Sequence, residues 1–164
     1  MQIVVGVSEW AVSASPEDTL VTYSLGSCVG LALYDCEAHV GGLLHAMMPV
    51  SALDPRRAET QPAMFVDTGI AMLLKGVFDL GARRRSLVAT VAGGASQIDG
   101  GQTFRIGERN YTVLRRMLWK NEIFLAAEDV GGSRSRSIYL DMSGGRTLVK
   151  SGGHTHVLAV GGKE

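Results

Sequence analysis

Three features of the sequence predict an α+β domain built around a substantial β-sheet. Apolar, β-branched runs outnumber stretches of helical spacing, and the two kinds are not evenly interleaved, which argues against a doubly wound parallel fold. Glycine is abundant, with 21 residues that fall mostly in pairs such as Gly41-Gly42, Gly93-Gly94, Gly100-Gly101, Gly131-Gly132 and Gly144-Gly145. No fixed period separates the pairs, so they mark tight turns or close backbone approaches rather than repeats.

The elements follow in order. Residues 2–7 are apolar and β-branched and read as a first strand. Residues 29–34 alternate, with Val29, Leu31 and Leu33 on one face and Gly30, Ala32 and Tyr34 on the other. "DCEAH" reads as a turn, and "VGGLLHAMMP" as a returning strand stopped by Pro49. Residues 50–62, with Pro55, Pro62 and a charged middle, predict an irregular loop. Val66, Ile70, Leu73, Leu74 and Val77 recur at helical spacing over about 63–80, with Gly81 as the stop. "SLVATVAGGA" is a strand entering a glycine loop. A second helix runs from about Glu108 to Lys120, with Tyr111, Leu114 and Leu118 assigned to its inner face. "IFLAAEDVGG" is another strand, and "SIYLDMSGGRTLVK" a hairpin turning at Ser143-Gly144-Gly145.

The chain's 164 residues can bury one good core and are too few to make two domains the expectation. Sixteen basic and sixteen acidic side chains cancel, which argues against nucleic acid or an anionic membrane as partner, because both demand excess positive charge. The run Arg83-Arg84-Arg85 reads as a solvated loop between helix and strand. No stretch approaches the ~20 apolar residues needed to cross a bilayer. The start "MQIVVGVSEW" has no basic, cleavable leader. Two cysteines, Cys28 and Cys36, are too few for a disulfide framework, and both are expected to be free thiols in a reducing cytoplasm.

The segment around Cys28 carries candidate chemistry. A turn centred on Cys36-Glu37 sets Cys28 opposite His45. A shift of two residues makes them diagonal neighbours on one face, about 7 Å apart, whereas a slip of one separates them through the sheet. A thiol of pKa near 8.5 needs such a partner, because an imidazole can take its proton and later protonate a leaving amine. Thr22, Ser24 or Ser27 could orient the ring, and backbone N–H groups around Gly26-Ser27-Cys28 could stabilise an oxyanion. A cysteine on an apolar strand is also an ordinary core residue. Cys36 has no comparable partner and is read as structural. His39, His154 and His156 show no ligand geometry with an acidic residue, so no metal site is expected. The glycine loops lack a Walker lysine or a strand–GxGxxG–helix arrangement, and no nucleotide or other cofactor is expected.

The motifs "LGSCVGLALYD", "VGGLLHAMMP", "FVDTGIAMLL", "VAGGAS", "IGERNYTVL" and "AEDVGGSRSR", in this order over about 3–150, resemble the CheD family of chemoreceptor glutamine deamidases. The resemblance implies a single domain over 1–164 with a glycine-rich tail at 151–164, and an α/β/β sandwich, packed β-sheets flanked by helices, like the catalytic domain of the cytotoxic necrotizing factor toxins. It implies hydrolysis of chosen glutamine side chains on methyl-accepting chemotaxis receptors. By position, Cys28 is the nucleophile, His45 the base and Thr22 the third member of the triad. It also implies binding to a CheC-type phosphatase. Two departures are visible: Met48 stands where leucine usually precedes the proline, and Ser24 where glycine is frequent. The rival readings are a non-catalytic module that docks the phosphatase, and a cysteine peptidase or transglutaminase. Asp129-Val130-Gly131-Gly132 and Gly93-Gly94-Ala95 are read as tight turns before docking elements. Arg109 and Arg136 are open between internal pairing and a receptor contact.

Overall fold

The computed structural model describes residues 1–96 and 105–161. Its chain order is β1 (Gln2–Val4), β2 (Glu9–Ser13), β3 (Thr19–Leu25), β4 (Val29–Asp35), β5 (Val40–Ala46), α1 (Pro55–Thr60), α2 (Val66–Asp79), β6 (Leu87–Gly93), α3 (Ile106–Lys120), β7 (Phe124–Val130), β8 (Arg136–Asp141), β9 (Arg146–Ser151) and β10 (His154–Ala159). These form two five-stranded sheets, ordered β1-β3-β8-β9-β10 and β2-β5-β4-β6-β7. Helices α2 and α3 cover the outer face of the second sheet, so the layers run helices, sheet, sheet. This is the predicted α+β sandwich.

Alternation decides which layer each side chain enters. Val29, Leu31 and Leu33 of β4, with Leu44 and Ala46 of β5, meet Ile70, Leu73 and Val77 of α2 and Leu114 and Leu118 of α3. The opposite parity, Ala32, Tyr34 and Leu43, packs against Leu20, Ile138, Leu140 and Val149 of the first sheet. Every residue of β4 and β5 is buried. That is the expected state of central strands sandwiched on both faces, and each fully buried aliphatic side chain contributes about 1.5–3 kcal/mol.

Several elements differ from the sequence expectation. The first apolar run is not one strand. It breaks at Gly6–Ser8, where Ser8 takes φ +61° and Glu9 folds back to accept from the Gly6 N–H at 2.9 Å. Of the expected 2–7 only Gln2–Val4 is strand, pairing parallel with β3, and β2, beyond the break, pairs antiparallel with β5 in the other sheet. The 50–62 loop is largely ordered. Asp54 accepts from the Arg57 N–H at 3.1 Å and Pro55 begins α1, flanked by 3-10 turns at Ser51–Leu53 and Pro62–Met64. Helix α2 begins at Val66, inside the expected span, because the Pro62–Met64 turn occupies the preceding residues. In α3 the inner face carries Asn110, Leu114 and Leu118. Tyr111 sits to the side, its hydroxyl donating to Glu128 and accepting from Arg115.

The tail adds β10 antiparallel to β9, with Gly152 and Gly153 forming the turn at positive φ. The Arg83–Arg85 segment is a loop as read, with Arg85 on Glu37 at 3.6 Å and Arg84 over the Phe78 ring. Gly100-Gly101 lies outside the described residues. Among the described residues no helix is long and apolar enough to cross a membrane.

Candidate active site

Cys28 sits where the chain crosses from one sheet to the other. Strand β3 belongs to the first sheet and β4 to the second, and the connection is Gly26-Ser27-Cys28. The exit from β3 is a bulge, with register lost between Thr22 and Leu25. Ser24 takes φ +57° there, in the left-handed region that glycine adopts most readily. The bulge turns Tyr23 and Ser24 to solvent while Leu25 returns to the core.

The β4–β5 register settles the geometry of the pair. Gly30 lies opposite His45 and Val29 opposite Ala46, two residues displaced from a turn centred on Cys36-Glu37. One step further sets Cys28 across from Met47, so His45 is its diagonal neighbour on the face between the sheets. Cys28 packs on the inter-sheet core and is half-buried. The displacement has a cause in the turn. Asp35, wholly buried, accepts from the N–H groups of Glu37 and Ala38 in the loop and from the Arg83 N–H and Ser86 hydroxyl beyond it. This holds a four-residue loop, Cys36 to His39, with His39 at φ +57°. Burial alone would push the Asp35 carboxyl up, but the donated hydrogen bonds outweigh it and hold it below the ordinary carboxylate range.

Thr22 and His45 face each other from the two sheets, both buried, with Thr22 Oγ1 and His45 Nδ1 2.6 Å apart. The Thr22 hydroxyl has one proton, and it goes to the Val5 carbonyl at 2.6 Å. The bond to the ring must therefore run from Nδ1–H to Oγ1, which fixes the tautomer. Nε2 then carries the lone pair. It is buried and has no hydrogen-bond partner among the described residues. An imidazole so placed is a base with its acceptor unspent. Desolvation holds its pKa well down, from 6.5 to about 4, so the ring is neutral at pH 7. Burial likewise pushes the Cys28 thiol up, with only its own backbone N–H working the other way. At rest the site thus holds a neutral thiol and a neutral imidazole. An ion pair is not preformed.

The turn before Cys28 is pinned through its carbonyls. Ala95 N–H donates to Gly26 O at 2.9 Å, Asn110 Nδ2 to Ser27 O at 2.9 Å, and Gly94 N–H to Cys28 O at 2.8 Å. Among the described residues the Ser27 N–H meets no acceptor and the Cys28 N–H only its own thiol sulfur, which leaves both near the place where an oxyanion would form. Gly93, at φ +109°, runs so close that a Cβ there would overlap the Cys28 carbonyl oxygen. A cleft of about 370 Å³ opens beside the turn, between Gly26, Ser27, Ala95, the start of α3 and Ser133.

The other candidates fall elsewhere. Of Thr22, Ser24 and Ser27, it is Thr22 that hydrogen-bonds His45 among the described residues. Arg136 is buried and pairs internally, with Nε on Asp129 at 3.1 Å. Arg109 lines a separate groove of about 580 Å³ between α3 and Pro49. Gly131 N–H donates to Gly93 O at 3.0 Å, so the two glycine loops brace each other as turns. His156 Nε2 lies 3.3 Å from Asp129 Oδ2. Among the described residues no cluster could hold a metal ion. Sequence reasoning missed Asn110, although a polar residue in step with Leu114 and Leu118 was a legible signal.

The chain is similar to known proteins along most of its length. The family model described as CheD, chemotactic sensory transduction, matches residues 47–151. Curated relatives named probable chemoreceptor glutamine deamidase CheD are similar along nearly all of both chains. One from Solibacter usitatus is 49% identical over 93% of this chain and 90% of its own length. One from Syntrophus aciditrophicus is 46% identical over 92% and 94%, and one from Pyrococcus horikoshii 44% identical over 91% of each. A crystal structure of a Neisseria meningitidis protein, family model DUF152, is similar at a TM-score of 0.45 and 9% identity, over 80% of this chain and 63% of that one. Relatives aligned over more than nine-tenths of its length, together with a family model that matches most of it, make this chain a member of the CheD family.

Proposed function

We propose that this chain is a single-domain protein-glutamine deamidase of the cytoplasm that converts chosen glutamines of methyl-accepting chemotaxis receptors to glutamate and ammonia, without metal or organic cofactor. The observation that carries the reading is the Thr22–His45 hydrogen bond, because it leaves Nε2 as a free base on the face shared with Cys28.

His45 Nε2 takes the thiol proton as Cys28 Sγ attacks the side-chain carboxamide carbon, so that the resting neutral pair becomes thiolate and imidazolium only as the S–C bond forms. The tetrahedral oxyanion is held by the N–H groups of Ser27 and Cys28, with Gly26 shaping the turn. The imidazolium, kept in place by Thr22, protonates the departing ammonia. Water, activated by the same nitrogen, then hydrolyses the thioester and releases glutamate and the free thiol. The open cleft beside Ser27 suits one extended side chain presented on a protein surface better than a deep pocket would.

The names of the relatives support the receptor as substrate. A CheC-type phosphatase is proposed as a second partner on the family resemblance. Mass spectrometry of receptor cytoplasmic fragments incubated with the protein tests both arms. Specific glutamine-to-glutamate conversions with the unaltered protein and none with Cys28→Ala are the expected result. Unchanged receptors, with a phosphatase still bound, would leave docking as the function.

A further inference from the structure

Two buried side-chain atoms lack a hydrogen-bond partner among the described residues, His45 Nε2 and Asn110 Oδ1. The first is the base. The second belongs to a residue fully buried on the inner face of α3, in step with Leu114 and Leu118. An orphaned buried oxygen in an apolar stripe calls for a reason, and the other end of the same amide supplies it.

Asn110 Nδ2 donates to two carbonyls, Ser27 O at 2.9 Å and Met47 O at 3.1 Å. Both are acceptors only, so the amide cannot be flipped without facing oxygen with oxygen. Ser27 immediately precedes Cys28. Met47 lies one step beyond β5 and two residues past His45, across from Cys28 in the strand register. One side chain from a third element therefore ties the nucleophile's turn to the strand that carries the base.

The link also aims a donor. The Ser27–Cys28 peptide is trans, so its C=O and N–H point in opposite directions. With the Ser27 carbonyl drawn toward Asn110, the Cys28 N–H points the other way, and in the deamidase reading it faces the developing oxyanion. Ala95 does the same to the preceding peptide through Gly26 O.

We propose that Asn110 is a positioning residue of the reaction, a two-carbonyl clamp that orients the Cys28 N–H as an oxyanion donor and holds the spacing of Cys28 and His45. This rests on the deamidase reading above. A clamp of this kind acts in the transition state, where the oxyanion exists, and contributes little to substrate binding.

The test measures deamidation of a receptor cytoplasmic fragment by the wild type, Cys28→Ala and Asn110→Ala, with iodoacetamide alkylation of Cys28 followed in the same samples. Alkylation needs the thiol but no oxyanion donor. Asn110→Ala should lower kcat about 10²-fold, the usual cost of one lost oxyanion donor, with KM within about threefold and alkylation within about twofold. A kcat per folded molecule within about threefold of wild type overturns the proposal, as does a loss of activity matched by an equal change in alkylation or folded fraction. Should Asn110→Ala fail to fold, Asn110→Ser, whose single short hydroxyl cannot bridge the two carbonyls, carries the same comparison. A chain that folds with neither makes Asn110 structural and also overturns it. Wild-type protein that leaves every receptor glutamine intact sinks the deamidase reading instead, which keeps the two failures apart.

Discussion

Acid should weaken this fold through His45 in a quantifiable way. The ring is buried and neutral, with its pKa held from 6.5 down to about 4 by desolvation. The unfolded chain protonates the imidazole near 6.5, whereas the folded chain resists until about 4. The unfolded state thus binds more protons across that window, and stability falls as pH falls through it. With those two values the loss is about 2 kcal/mol by pH 5 and about 3 kcal/mol by pH 4, relative to pH 7.5. Other carboxylates titrate in the same range, so the comparison is with His45→Asn, which keeps an amide near the Nδ1 position to donate to Thr22. Urea unfolding of both proteins from pH 7.5 to 4 isolates the histidine's share as the difference in slope. The wild type should lose about 2 kcal/mol more than the variant by pH 5. Parallel curves would refute the buried neutral ring, and with it the free lone pair on Nε2.

Other consequences can be checked alongside. The alkylation rate of Cys28 should keep rising above pH 8 without a plateau near neutrality, because burial pushes the thiol up. An inflection below pH 7 would mean a preformed thiolate–imidazolium pair. Gly93→Ala combines positive φ with an overlap on the Cys28 carbonyl, and should cost about 2 kcal/mol or more in denaturant unfolding and nearly abolish activity. Ser24→Gly should raise stability by up to about 1 kcal/mol, since Ser24 holds a left-handed conformation at φ +57°. A clear loss would show that the serine side chain has a role of its own. Thr22→Val leaves the Val5 carbonyl and the Nδ1–H of His45 unpaired. It should lower stability by about 2 kcal/mol and kcat about tenfold or more, read by thermal melts and ammonia release.

Much of the fold and of the site was legible, for identifiable reasons. The alternation in β4 and the Pro49 stop after β5 are short-range signals, and they set Cys28 and His45 on one face. Spacing left two registers open, and the shifted one is adopted because Asp35 gathers four donors, two of them from residues some fifty positions away, Arg83 and Ser86. Tertiary contacts of that span leave no mark in local spacing. Strand β3 escaped notice because the bulge at Ser24 interrupts its pattern. The apolar 2–7 run could not reveal that strand ends at Val4 and that the chain beyond Gly6–Ser8 joins the other sheet, since periodicity reports a face and not a sheet. Helix α1 was announced by Asp54-Pro55, an N-cap followed by Pro at the first position, but its apolar pattern is too sparse to stand out. Spacing alone left Thr22 as one of three hydroxyls and only the family resemblance chose it, because its approach to His45 depends on how one sheet packs on the other.

The most direct test of the account is rapid acid quench of the protein during turnover of a receptor fragment, followed by peptide mass mapping. A receptor peptide joined through its glutamine acyl group to the Cys28 peptide, with ammonia lost, is the result predicted, together with no conversion by Cys28→Ala. Continued glutamate formation by Cys28→Ala, or an acyl group on any residue other than Cys28, would contradict it.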